Sequence, residues 1–563
     1  MARMGSRPSV VLSEDSQRTS GRDAQEMNIT AAKAVASAVR TSLGPQGMDK
    51  MLVDSSGNVV ITNDGVTILD EMDIDHPAAE MIIEVADIQE EEVGDGTTSA
   101  VIVAGELLRR AEELLDNRIH PTTIVKGYRD AAREATQALA DGAISVDASD
   151  TDELERIAAT ALTGKGADQA KDHLTSLVVS SVAQVTEDGE VARDEIELER
   201  ALGAPVEQSE VFEGMIIDKN PVHEDMPHRV EDARIAILGD ELDVEDIETD
   251  VEINIEDPDM LDEIRESEEK EIRDFVERLD DLGVKAVFAS NSIADIAQNM
   301  FARLGIVAVR HTGDSDLERL ARATGGTVVT NYDQLDEDDL GEAGAVSYDD
   351  LGDDQVFYFE EPAEANVATF ILRGGTEHVV DELERAIEDS LDVVTQAVEH
   401  GEVLPGGAAP EMLVSLHLRD HAESIGGREQ LAVEAFADAV EVVPRTLAEN
   451  AGHDPIDSIV ELRAAHDGGD TTAGLDAETG NVIDMTEEGV LEPLQVKSQA
   501  LESATEAASM ILRIDDVISA GDLSTGGDDD DEGGAPGGAP GGMGGMGGMG
   551  GMGGMGGGMG GMM

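Results

Sequence analysis

Charge constrains this chain more than any other feature of its sequence. Over 563 residues, 123 Asp and Glu stand against 38 Lys and Arg, a formal net charge of −85. Self-repulsion on that scale destabilises a compact state unless counterions screen it, and the screening length drops from ~10 Å at 0.1 M salt to ~3 Å at 1 M. The expected setting is therefore a salt-rich cytoplasm. A surface of this sign repels phosphate backbones and anionic bilayers, so neither nucleic acid nor a membrane is an expected partner. Yet 40% of the residues are hydrophobic, enough to drive collapse, so a wholly disordered acidic polymer does not fit. Aromatic residues make up only 2% and tryptophan is absent, which leaves an aliphatic, methionine-rich core. The lack of cysteine excludes disulfides, thiolate metal sites and a cysteine nucleophile. With no apolar run of ~20 residues and no basic-then-apolar start, neither a membrane span nor a secretory signal is expected.

The length corresponds to roughly three or four domains. Residues 1–22 read as a loose polar arm. Residues 28–43 carry apolar positions at helical spacing and stop at Gly44-Pro45. Two short β-like runs, 51–54 and 58–62, read as a hairpin, and long amphipathic helices are expected over 97–115 and 122–139. The middle of the chain alternates strands (234–238, 285–289, 306–310, 327–330) with helices (293–304, 316–323), the pattern of an α/β layer. An acidic insert at 240–282 opens a helix at Asp257-Pro258. Its apolar positions leave a polar gap over 265–271, so it is expected to project. Strands near 355–360 and 367–373 precede a return to helices until about residue 520. The final stretch, four aspartates and a glutamate followed by Gly-Gly-Ala-Pro and Gly-Gly-Met repeats, is expected to be disordered.

The strongest chemical signal is Val93-Gly94-Asp95-Gly96-Thr97-Thr98-Ser99 leading directly into an apolar helix. Glycines let backbone amides approach phosphate, hydroxyls add donors, and a helix N-terminus carries partial positive charge. Asp95 opposes an anion unless a cation lies between them, and Mg²⁺ bridging carboxylate and phosphate resolves that conflict. The segment lacks the lysine of a P-loop; taken alone it also fits an ordinary capped helix start. Three further glycine turns are phosphate-friendly in the same way: 41–50 around Gly44 and Pro45, 61–65 around Asp64, and 404–409 around Gly407. Each by itself is equally a connector.

TSLGPQGMDKML, ITNDGVTIL, VGDGTTSAVIVAGELL, ALTGKGAD, GMIIDKNPVH, ERAIEDSLDVV, VLPGGAAPE and GVLEPLQVKSQAL occur in this order, ahead of the Gly-Gly-Met tail. Together they resemble the group II chaperonins, in their archaeal, thermosome-type branch and in a haloarchaeal, acidic version. The resemblance implies a multidomain α and α/β fold. An equatorial ATPase domain would comprise 23–150 and 402–522, a small hinge-like intermediate domain 151–218 and 368–401, and an α/β apical domain 219–367, with a lid protrusion over 240–282 and a disordered tail over 523–563. It implies ATP and Mg²⁺ as ligands, with K⁺ also expected. Gly44, Pro45, Gly94, Gly96, Thr97, Thr98, Ser99 and Gly407 would hold the nucleotide, and Asp95 would bind the metal. Asp64 would help position metal and water, Asp389 would orient or deprotonate the water, Lys165 would sense the γ-phosphate, and Glu492 would face the ribose. On its helix Asp389 lies about 180° from the apolar Val380, at ~100° per residue, a position that permits this role and equally a solvated face. Two residues depart from the family pattern: Gln46 stands where Lys is common, and Ala408 replaces the third glycine of a triplet.

The implied function is an ATP-driven folding chamber. Non-native polypeptides would be bound by apolar apical surface and enclosed in stacked double rings of roughly eight or nine subunits each, built from copies of this chain alone or together with paralogues. The apolar stripe Ile296, Met300, Phe301 and Leu304 fits either a client-contact face or a core stripe. Two other readings stay open at this level: a structural ring subunit with weak ATPase of its own, and an acidic cation-binding surface or storage protein.

Overall fold

In this computed structural model, the described residues are 17–53, 56–72, 74–166, 170–242, 258–352, 354–364 and 366–519, with side chains of 17–18, 258–268, 333 and 519 excepted. Residues 19–517 form one compact unit; the other, made of 1–18 and 518–563, is described only at 17–18 and 518–519. The Gly-Gly-Met tail, Asp257 and most of the insert's first half thus lie outside the described residues. Of the expected polar arm, Gln17–Ser20 is a strand and a helix already begins at Arg22.

Inside the compact unit, buried apolar residues gather into separate clusters. The first draws on two distant stretches, 29–139 and 404–512. Its helices Arg22–Val39, Pro77–Val93, Thr97–Asp116, Pro121–Gly142, Arg428–Val440 and Leu494–Leu512 pack aliphatic faces together around Tyr128 and Phe436, which meet edge to face at 5.7 Å. With so few rings, this core rests on many small gains of ~1.5–3 kcal/mol per buried aliphatic side chain. The first helix begins six residues before the expected start because Ala24 lies on its buried face. It ends in a 3₁₀ turn, Arg40–Ser42, where the Ser42 hydroxyl donates to Val39 O (2.8 Å). The expected hairpin is present as Lys50–Val53 paired antiparallel with Val59–Thr62.

A second cluster combines residues 146–196, 368–403 and Leu491. Helix Glu377–His400 lies against Thr151–Leu162 and Lys171–Val185, beside a sheet in which Ala368–Gly374 runs between Ile196–Leu202 and Glu210–Phe212. Further clusters cover the two faces of a mixed sheet. Its order is Val307–Val309, Val284–Ala289, Arg229–Leu238, Gly341–Leu351, Asp354–Pro362, Gly214–Ile217, with Val328–Val329 joining the end of Arg229–Leu238. Here the alternating strands and helices of the sequence appear as expected. The eleven-residue strand Gly341–Leu351 does not follow from the sequence: with Gly341, Gly344 and two aspartates it lacks β propensity, and only its pairing on both sides makes it a strand.

The helix Pro258–Asp281 runs unbroken through the polar gap, and its second half is not projecting. Ile272, Phe275, Val276 and Leu279 are buried with Leu238 and Phe301. The stripe on helix Asp295–Leu304 is mostly core too. Phe301 is fully buried, Ile296 and Met300 are packed against it, and Leu304 alone of the four is exposed. The returning helical region is interrupted by short strands. One of them, Glu402–Pro405, pairs with Leu491–Pro493 and brings Leu404 opposite Glu492.

Candidate functional site

Helices Pro77–Val93 and Thr97–Asp116 are joined by Gly94-Asp95-Gly96. Both glycines are left-handed (φ 72° and 82°), which a side chain resists. There is also no room: a Cβ on Gly94 would lie 2.2 Å from Asp392 Cβ, and one on Gly96 2.9 Å from Val496 Cγ1. Because Gly96 brings no side chain to cap the second helix, the first amides of that helix stay free for a ligand. The Asn63-Asp64-Gly65 turn packs on this helix start, since a Cβ on Gly65 would meet Thr98 Oγ1 at 2.5 Å. One Asp64 oxygen accepts from Thr67 N (2.7 Å), capping the short helix Gly65–Asp70. Turn chemistry and a place beside the phosphate-type loop therefore coincide in Asp64.

A cleft of about 770 Å³ opens over these turns, and Gly44, Pro45, Asp64, Asp95, Gly96, Thr97, Thr98, Ser99, Lys165, Gly407 and Glu492 all line it. Its size falls within the range typical of small-molecule sites, ~300–1,000 Å³. Gly94 lies beneath the wall rather than on it. Asp389 is also off the wall, paired with Lys165, which is on it: Lys165 Nζ donates to Asp389 Oδ2 (2.5 Å) and to Asp95 Oδ1 (3.4 Å). The lysine's turn is held over the phosphate-type loops by Asn63 Nδ2, which donates to Gly164 O (2.6 Å). Burial pushes Asp389 up to about 7 against the pull of Lys165, helped by Asp64 and Asp95. For Lys165 burial works against the charge, but Asp389 and Asp95 outweigh it and raise the ammonium's pKa. The solvated face that the sequence allows for Asp389 is thus covered: Asp389 is 9% exposed, and Asp392 beside it pairs with Arg193 (2.5 Å) and backs Gly94.

At the other end, Glu492 Oε2 lies 2.5 Å from Lys497 Nζ, which also reaches Glu411 (3.1 Å). Burial raises the Glu492 pKa, with Lys497 opposing and Glu411 adding to the rise. Gly407 (φ 62°) accepts from Leu475 N (2.8 Å), and apolar Leu475, Ile483, Met485 and Val490 line that end. Across the site, hydroxyls and free amides face carboxylates, the ammoniums of Lys165, Lys171 and Lys497 and the Arg156 guanidinium, an arrangement suited to a polyanion carrying a cation.

The comparisons agree. The TCP-1/cpn60 chaperonin family model matches residues 35–522. The chain belongs to the TCP-1/cpn60 chaperonin family. It is 62% identical to thermosome subunit 1 of Haloferax volcanii over 94% of this chain and 95% of that one. It is 61% identical to thermosome subunit alpha of Halobacterium salinarum over 94% of each, and 52% identical to thermosome subunit beta of Methanothermobacter thermautotrophicus over 95% and 99%. This chaperonin is of group II, of the haloarchaeal kind, and ATP-dependent chaperone function goes with that membership. A merely structural ring subunit is not favoured.

Three cleft-side groups of the chaperonin were not singled out in the sequence: Gln89, Glu90 and Lys497. Lys497 was the most findable, a lysine five residues after Glu492 in a lysine-poor chain. Gln89 and Glu90 sit in the acidic run before Gly94, where nothing distinguishes them from surface residues. Burial first, then Asp64 and Asp389, pushes Glu90 up to about 8 from 4.5. A carboxyl whose folded pKa is raised takes up a proton on folding, so its cost grows as pH rises from 4.5 to 8. Glu90→Gln is expected to stabilise the protein by roughly 2 kcal/mol at pH 8 after discounting for partial exposure, with the gain vanishing towards pH 4.5; thermal melts across that range check this.

Ala408, the departure from the glycine triplet, is itself left-handed (φ 61°) and buried at the start of helix Ala409–Ser424. Ala408→Gly should relieve ~1 kcal/mol of backbone strain and raise the melting temperature by about 1 °C; an unchanged or lower melting temperature would show that loss of the buried methyl outweighs the strain. Gln46 lines the cleft and is exposed, so the charge missing there affects attraction rather than packing.

Proposed function

We propose that this chain hydrolyses ATP in the cleft and that hydrolysis drives closure of a ring chamber over non-native polypeptides. The observation that carries the reading is the convergence of Lys165 and Asp389, from the second core, on Asp95 and the free amides of Thr97–Ser99, from the first. The two cores correspond to the proposed equatorial (23–150, 402–522) and intermediate (151–218, 368–401) domains, and the mixed sheet to the apical one (219–367).

In this reading the triphosphate lies along Gly44, Pro45 and the helix start at Thr97, and the base and ribose lie towards Gly407 and Glu492. The donor set fits Mg²⁺. Asp95 offers a hard oxygen, and a cation, the Lys165 ammonium, already stands 3.4 Å from it. Among the described residues no three His, Asp or Glu side chains are arranged to hold a metal by themselves. That agrees with a metal held by one carboxylate and completed by phosphate oxygens. When bound, Mg²⁺ would neutralise charge across the phosphate oxygens. K⁺ is the further expected cation, abundant in the salt-rich medium that the acidic surface needs.

Amides at the helix N-terminus stabilise charge developing on the γ-phosphate, and Asp64 positions the attacking water. Lys165 leaves Asp389 for the γ-phosphate. Asp389, buried and freed of the ammonium that holds its pKa down, accepts the proton of the water as the water oxygen bonds to the γ-phosphorus and the bond from that phosphorus to the bridging oxygen breaks to release ADP. Because Lys165 and Asp389 belong to a different core from the phosphate loops, that exchange of partners draws the two cores together, and the apical part follows. Clients are non-native polypeptides, and the partners are copies of this chain and paralogous subunits in stacked double rings. Nucleic acid and membranes are not partners, and the location is cytoplasmic. Mg²⁺-dependent phosphate release by the purified chain in multimolar KCl tests the reading; a chain that neither binds nor cleaves ATP there would contradict it.

A further inference from the structure

Gln89 is fully buried one turn before the end of helix Pro77–Val93, in a position where a glutamine must justify its loss of water. Its Nε2 donates to Asp95 O (2.7 Å) and to Val496 O (3.0 Å), joining groups 407 residues apart from its own position and six residues on. Asp95 sits between two left-handed glycines with no helical partner for its carbonyl on either side, and Val496 adjoins Lys497, which holds Glu492 and Glu411. The amide thus ties the turn that presents Asp95 to the helix that presents Lys497. Among the described residues Gln89 Oε1 has no hydrogen-bond partner, so the two donated bonds are what the side chain contributes. Gly96 completes the clamp, since a Cβ there would lie 3.1 Å from Gln89 Nε2.

We propose that Gln89 is a positioning residue for the metal-bound nucleotide. By fixing the Asp95 carbonyl, it sets where the Asp95 carboxylate points and keeps the phosphate end of the cleft in register with the ribose end. This rests on the reading of the cleft as a Mg²⁺·ATP site. A side chain that only filled space would affect stability alone; one that aims Asp95 affects the metal-dependent part of binding and leaves the metal-free part intact.

The test uses Gln89→Met, of similar length but without donors, and Gln89→His, whose ring N–H can replace one of the two bonds. A fluorescent ADP analogue is titrated into the assembled full-length protein in multimolar KCl, with EDTA and over a Mg²⁺ series. Gln89→Met is expected to leave affinity in EDTA within about twofold of the parent and to raise the Mg²⁺ concentration for half-maximal effect roughly tenfold, the equivalent of two neutral hydrogen bonds. Gln89→His should fall between. A half-maximal Mg²⁺ concentration unchanged in both variants, or equal losses with and without Mg²⁺, would overturn the proposal. Should Gln89→Met fail to assemble, Gln89→His carries the same readout. If the parent protein itself showed no Mg²⁺-dependent nucleotide binding, the reading of the cleft would fail instead, so the two failures are distinct.

Discussion

Asp389→Ala is expected to bind Mg²⁺·ATP and to hydrolyse it roughly 10²–10⁴-fold more slowly than the parent. The carboxylate is off the cleft wall, behind Lys165, which donates to it, so its removal leaves the phosphate loops untouched. Lys165 keeps Asp95 at 3.4 Å and is released towards the γ-phosphate, so affinity holds or tightens while the proton acceptor is gone. Some stability is lost as well, because deleting one partner of a buried pair leaves the other less compensated. Phosphate release and nucleotide titration in the same KCl buffer separate these effects. Equal turnover by variant and parent would remove Asp389 from the chemistry, and a loss of binding would make it part of the nucleotide cradle instead.

Gly94→Ala should be the most damaging single methyl group in the site. The residue is left-handed (φ 72°), costing ~1–2 kcal/mol for any L side chain. The added carbon would stand 2.2 Å from Asp392 Cβ, an atom fixed to its helix rather than the tip of a flexible chain. Overpacking of that kind costs a further ~1–3 kcal/mol. Pushing Asp392 away also disturbs its pair with Arg193 and, one turn back, the Lys165–Asp389 contact. A loss of about 3 kcal/mol with strongly reduced turnover is expected. Gly189→Ala is the control: it has the same sign of φ (90°) but no atom within 4 Å of the new carbon, so only the strain term applies. Urea unfolding of both variants measures the difference, and equal losses would show that the contact with Asp392 is unimportant.

What could be read from the sequence was local. Amphipathic helices such as Thr97–Asp116 and Pro121–Gly142, the hairpin before Asp64 and the alternating strands of the mixed sheet follow from periodicity and turn residues. The cleft residues were legible only as separate glycine turns, and the family resemblance grouped them. Three kinds of feature were illegible for physical reasons. Strand Gly341–Leu351 owes its conformation to neighbours on both sides rather than to its own residues. The burial of Asp389 depends on a loop more than two hundred residues away that covers a polar helix face. Helical spacing alone could not decide between core and contact face for Met300 and Phe301, and packing against Leu238 and Ile272 decided for the core.

In the proposed function, a metal-bound triphosphate occupies this cleft and takes Lys165 from Asp389. An electron cryomicroscopy map of the wild-type protein with Mg²⁺ and ADP–aluminium fluoride, in multimolar KCl, tests it most directly. Ligand density is expected between Gly44-Pro45 and the Thr97–Ser99 amides, with Lys165 Nζ on the fluoride group and no longer on Asp389. A cleft without ligand, or a ligand bound while Lys165 still rests on Asp389, would contradict it.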